Sequence, residues 1–125
     1  MLSMKGPVGG APRDRGELLY GTLGLLILKT LDALGPLHGY GIARRLEQTS
    51  GHQLLLNHGS VYPALVRLEQ LGWIGSKWSV SENNRRARYY SITATGRRRL
   101  KAETEQWART SGIVARVLRL AGGDR

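Results

Sequence analysis

The spacing of apolar residues changes at Gly72 and changes back after Ile92. Up to Gly72 they recur every three or four positions, which returns a side chain to one face of a helix. Between residues 73 and 92 they fall in two short runs of β-formers around a polar stretch, the mark of two strands and a turn. Beyond that the helical period resumes. A chain with this pattern builds helices, then one β-hairpin, then a last helix.

The segments can be placed. Leu19, Leu23, Leu26, Ile27 and Leu34 repeat at helical spacing over residues 18–34, and Gly35-Pro36 closes that helix. A second, residues 39–48, puts Ile42, Ala43 and Leu46 on one face and ends at Thr49-Ser50-Gly51. In a third, residues 58–71, Val61, Leu65 and Leu68 form the core face, flanked by Ala64 and Leu71. Its opposite face carries Gly59, Pro63, Val66 and Gln70, flanked by Ser60, Tyr62 and Arg67. The start of this helix has two readings. Asn57 is a good cap, but Pro63 then cannot donate to the Gly59 carbonyl; Ser60 as cap puts Pro63 in the first turn.

Strands are expected at residues 73–80 and 87–92, joined by the polar turn 81–86. Ile74, Trp78 and Val80 share one face of the first; Arg88, Tyr90 and Ile92 share one face of the second. Thr93 or Thr95 caps a last helix running to residue 121. The Gly- and Pro-rich residues 1–16 read as a flexible tail. The expected organisation is thus a three-helix and hairpin domain over 17–93, a helix over 94–121 and a short tail over 122–125, mainly α with a small hairpin.

At 125 residues the chain is one domain's worth. With no Phe, its core must rest on Leu, Ile and Val. Cysteine is absent, which removes disulfides and thiolate metal sites. The longest apolar run, residues 23–28, is broken by Gly24 and followed by Lys29, too short to span a bilayer. The first residues lack the apolar stretch of a secretory signal, so a cytoplasmic protein without a membrane partner is expected.

Charge narrows the function. Nineteen basic and nine acidic residues give +10, and residues 73–101 alone hold eight basic groups against Glu82. A solvated face mixes both signs, whereas a block of one sign on a folded domain is an electrostatic footprint for phosphates. Helix, helix, helix, basic hairpin is the order of a winged helix-turn-helix, which binds double-stranded DNA through its third helix and its hairpin. The small or flat groups Gly59 and Pro63 let the third helix approach a groove closely, with Ser60, Tyr62 and Arg67 beside them. Arg85, Arg86 and Arg88 on the wing can meet the backbone or enter a minor groove. Their planar forks suit phosphate better than lysine does, and only four of the nineteen basic residues are Lys.

The last helix carries a seam. Leu100, Trp107, Val114 and Ala121 lie seven apart, with Thr104, Ser111 and Leu118 at the interleaved position. Three heptads of this kind suit pairing with a second copy, because a lone helix would leave Trp107, Val114 and Leu118 in water. Leu19 and Leu23 of the first helix can complete that interface. Thr104 and Ser111 are small and polar, so the seam is loose around Trp107 and can admit a flat aromatic or drug-like effector.

Other chemistries fit poorly. His38, His52 and His58 lie in separate turn regions with no i, i+4 pair, so no metal site is expected, and His38 most simply orients the start of the second helix. The glycine-rich tail lacks the Lys-Ser/Thr ending and the preceding strand of a phosphate loop. No catalytic constellation or cofactor motif is present among nine scattered acids. The alternative is a basic RNA-binding or architectural module with no effector. RNA readers expose stacking aromatics on a sheet, and here only Trp73 and Tyr89 could serve.

From residue 18 to residue 121 the chain resembles the PadR family of transcriptional regulators, in its short form with one C-terminal helix. The resemblance is carried by LLYGTLGLLILKTL, GPLHGYGIARRLE, GSVYPALVRLEQLGWI and, through the basic hairpin, YSITATGRRRL. Val61 stands where the family usually has Leu before the recognition-helix Tyr. The resemblance implies a homodimer joined through first and last helices, a palindromic operator, and repression relieved by a small molecule. In some members the effector pocket lies at the dimer interface and uses a Trp on the last helix, the place of Trp107 here.

Overall fold

In the computed structural model the backbone of residues 11–56 and 58–122 and the side chains of residues 22–56 and 59–122 are described. Helix α1 (Ala11–Leu34) is followed by a two-residue strand β1 (Leu37–His38), then α2 (Gly39–Thr49) and α3 (His58–Gln70). The hairpin strands β2 (Ile74–Val80) and β3 (Arg86–Ile92) lead into α4 (Ala94–Leu118). The architecture is mainly helical with a small antiparallel sheet of order β1-β3-β2. Pairing of Ile74 with Ile92, Trp78 with Arg88 and Val80 with Arg86 fixes the hairpin register. β1 is the unexpected element: Leu37 pairs with Tyr90 and His38 with Tyr89. A two-residue strand has no period of its own to read.

Glycine ends the helices where the sequence places it. Gly72 takes φ +78, a left-handed conformation that Cβ-bearing residues avoid. Its N–H donates to the Glu69 carbonyl and that of Trp73 to the Leu68 carbonyl, both at 3.0 Å, so the last carbonyls of α3 are satisfied. Gly35 (φ +84) closes α1 in the same way, donating to Leu31. Thr93, not Thr95, caps α4: its hydroxyl accepts from Gly96 N–H at 3.0 Å and donates to the Gly72 carbonyl at 2.7 Å. α3 begins at His58 with Pro63 inside it, against the reading that starts it after Ser60; Asn57 lies outside the described residues.

One core joins all the layers: Leu23, Ile27, Leu28 and Leu31 of α1, Ile42, Ala43 and Leu46 of α2, and Val61, Leu65 and Leu68 of α3, with Ile74, Tyr90, Ile92 and Leu100. The expected faces of α2 and α3 are the buried ones, although Leu71, just past the end of α3, is exposed. α1 differs. It packs against α2, α3, β3 and α4 at once, so Leu28 and Leu31 are buried beyond the expected stripe, while Leu34, on its last turn, is half exposed.

Two boundaries move. Residues 11–16, expected in the tail, belong to α1, where Pro12 sits in the first turn and its missing N–H costs nothing. α4 ends at Leu118 rather than at residue 121, with the Arg119 N–H turning back to Arg116 and Val117. The first turns of α4 pack on the domain, through Gly96, Leu100 and an Arg97–Asp32 ion pair at 3.1 Å. From Thr104 onward every described residue is exposed.

Candidate nucleic-acid interface

α2, Tyr62 of α3 and the wing border an open groove of about 950 Å³, which Gly59, Ser60, Pro63 and Arg67 of α3 do not line. Its floor comes from Leu37 to Gly41 and from Tyr90, its helical wall from Arg44, Arg45, Gln48 and Tyr62, its other wall from Trp78 and residues 81–83 and 85–88. The charged groups along it are Arg44, Arg45, Arg85, Arg86 and Arg88, with Glu82 as the single acid. A concave strip with five guanidinium groups focuses potential on a polyanion.

Each expected DNA-facing residue has a definite place. Tyr62 lines the groove and is 48 % exposed. Gly59, Pro63 and Arg67 are exposed on the outer face of α3, and Ser60 is half-buried at its edge. Arg85 sits at the wing tip, where the Ser81 N–H donates to its carbonyl at 2.7 Å and Asn84 takes φ +61. Arg86 and Arg88, on β3, flank the Trp78 ring at 5.0 and 5.4 Å from its centroid. Stacking of this kind holds a guanidinium in place without consuming its outward N–H donors.

Three groove residues escape a reading of the sequence. Residues 35–72 carry only a small net charge, so Arg44 and Arg45 draw no notice there. Folding brings them, with Tyr40 beneath Arg44 at 5.9 Å, opposite the wing. The alternation along β2 could have singled out Trp78 as the aromatic facing Arg88. His38 does orient α2 as expected: its Nδ1 accepts from Gly41 N–H at 2.9 Å, with the ring edge-on to Tyr89 at 5.3 Å. Burial pushes the Tyr90 phenol above its ordinary pKa; Arg88 opposes this, while Glu69 and Tyr62 add to it.

The expected dimer surface needs correction. Leu23 and Leu100 are 3 % and 8 % exposed within a single chain, so almost nothing remains for a partner to cover. The side chain of Leu19 lies outside the described residues. Trp107 (46 % exposed), Val114 and Leu118 (78 %) remain on the open stripe, and Ile113 and Val117 widen it. Thr104 and Ser111 are exposed on that stripe, Ser111 donating to the Ala108 carbonyl at 3.2 Å. Thr104, Trp107 and Ser111 do not line the basic groove. Among the described residues no helix is long and apolar enough to cross a membrane.

Comparison with known proteins agrees with this geometry. A PadR family transcriptional regulator from Eggerthella lenta superposes with a TM-score of 0.73 at 28 % identity, over 88 % of this chain and 93 % of that one. A PadR-like regulator from Bacillus cereus gives 0.72 at 25 % identity, over 84 % and 99 %. A transcriptional regulator from Clostridium thermocellum gives 0.72 at 27 %, over 80 % and 93 %. In sequence, the chain is 42 % identical over 90 residues to an uncharacterised 37.1 kDa protein of a Streptomyces fradiae transposon, matching 72 % of this chain. It spans only 24 % of that relative's length. Residues 27–102 match the transcriptional regulator PadR-like family, the helices and wing that border the groove. The chain belongs to the PadR-like family of DNA-binding transcriptional regulators, which are not enzymes.

Proposed function

We propose that the chain acts as a homodimeric repressor, two copies pairing through α4 so that two basic grooves read a palindromic operator, with release by a flat aromatic effector at the seam. The observation that carries this is the free half of α4. Trp107, Ile113, Val114, Val117 and Leu118 all stand exposed on the second half of α4. Burying such side chains contributes roughly 1.5–3 kcal/mol each, so two copies gain by pairing. One winged unit touches a short half-site; a two-fold pair reads two and multiplies discrimination against competing genomic sequence. The small Thr104 and Ser111 on either side of Trp107 leave room at the seam for a planar guest. A guest there changes the angle between the paired helices and hence the spacing of the two wings.

Leu118→Glu tests the pairing by setting like charges near the axis. Wild type should sediment as a dimer and the variant as a monomer. Binding of the variant to DNA selected by the wild type should fall far more than its binding to random DNA. A wild-type chain that sediments as a monomer at micromolar concentration contradicts the proposal.

A further inference from the structure

One hydroxyl ties the third helix to the wing. Ser76, in β2, donates to Oε2 of Glu69 at 2.7 Å and accepts from Nε of Arg88 at 2.9 Å. Glu69 belongs to the last turn of α3, and Arg88 to β3. In the hairpin register Arg88 faces Trp78 directly, and Ser76 is the diagonal neighbour on the same face, within reach of a long side chain. The Arg88 guanidinium is thus held twice, by the Ser76 hydroxyl at Nε and by the Trp78 ring 5.4 Å from its carbon.

These two restraints act on Nε and on the face of the group. The terminal Nη fork, the part that meets a phosphate bidentately, takes part in neither hydrogen bond of Ser76, and Arg88 lines the groove. An arginine ordered before DNA arrives loses little rotamer freedom on binding, whereas a free one must be immobilised at the interface. The hydroxyl suits the task because it donates and accepts at once, passing the anchorage of a carboxylate on α3 to a cation on the wing.

We propose that Ser76 is a positioning residue for DNA binding, orienting the Arg88 fork by bridging it to Glu69. The proposal rests on the reading of Arg88 as a DNA contact, and the test separates the two. Ser76→Thr keeps a hydroxyl on a strand-compatible side chain, and Ser76→Val has the same shape without it. Each is made alone and together with Arg88→Ala, and affinity is measured on a duplex that the wild type selects from a random pool. With Arg88 present, the valine variant should bind about threefold to tenfold more weakly than the threonine variant. With Arg88 replaced by Ala, the two should bind alike. Equal affinities on the Arg88 background overturn the positioning role. A threonine–valine gap that persists after Arg88→Ala shows Ser76 acting through the fold, which also overturns it. If Arg88→Ala leaves affinity unchanged, the contact itself is wrong and the proposal falls with it.

Discussion

At the scale of single residues, the wing arginines make the sharpest claim about DNA. Arg85 stands at the tip, and Arg86 and Arg88 flank Trp78 and line the groove. Each phosphate contact releases counterions and steepens the dependence of log affinity on log salt by about 0.9. Replacing all three with Ala should weaken binding to every duplex and flatten the salt dependence by about 2 to 3, as a titration against salt will read. An unchanged slope takes the hairpin off the DNA. A second residue matters for stability and is silent in the sequence. A Cβ added at Gly96 meets the Trp73 carbonyl oxygen and comes within 2.8 Å of Ile92 Cγ1. The oxygen belongs to backbone that itself accepts from Thr93 N–H at 3.0 Å, so it cannot swing aside as a flexible side chain would. Gly96→Ala should therefore destabilise by about 1–3 kcal/mol, lowering the melting midpoint by roughly 4 °C per kcal/mol. A midpoint equal to wild type would mean that the junction of α4 with the hairpin is slack.

Elements were legible in the sequence where a period ran for several turns or a breaker stood at the end. α2, α3 and the hairpin have both: Ile42, Ala43 and Leu46 mark one face, and Gly72, where the helical spacing stops, takes a left-handed turn. Legibility fails where burial depends on neighbours distant in the chain. Leu28 and Leu31 lie off the expected stripe because α1 is enclosed on several sides, and Leu100 is taken by the chain's own core. The groove shows the same limit. Its wing half is a run of adjacent arginines, whereas Arg44 and Arg45 join it only through the packing of α2 beside β1 and β3. α4 carries the prediction at this scale. Trp107 is half exposed between Thr104 and Ser111, on the part of the helix that its own domain leaves uncovered. Flat aromatic ligands should change its fluorescence, and Trp107→Ala should remove the effector response while DNA binding survives. If Trp107 emission ignores every compound in an aromatic panel, the seam holds the dimer without sensing a ligand.

For the whole molecule, charge and apolar surface fall on different parts of the chain, as the proposed pairing requires. Seven of the ten excess positive charges fall in residues 73–101, the wing and the first turns of α4. The apolar stripe lies farther along α4, where every described residue from Thr104 onward is exposed. Basic groove and apolar stripe are thereby separated, so the proposed pairing through α4 would repeat the groove without covering it. Selection of binding sites from a random DNA pool, followed by sequencing, tests this directly. Two copies about a two-fold axis must enrich an inverted repeat, its half-sites centred a whole number of helical turns apart, about 10 base pairs for each turn. Enrichment of a single unrepeated half-site, or of no sequence at all, would contradict the paired reader.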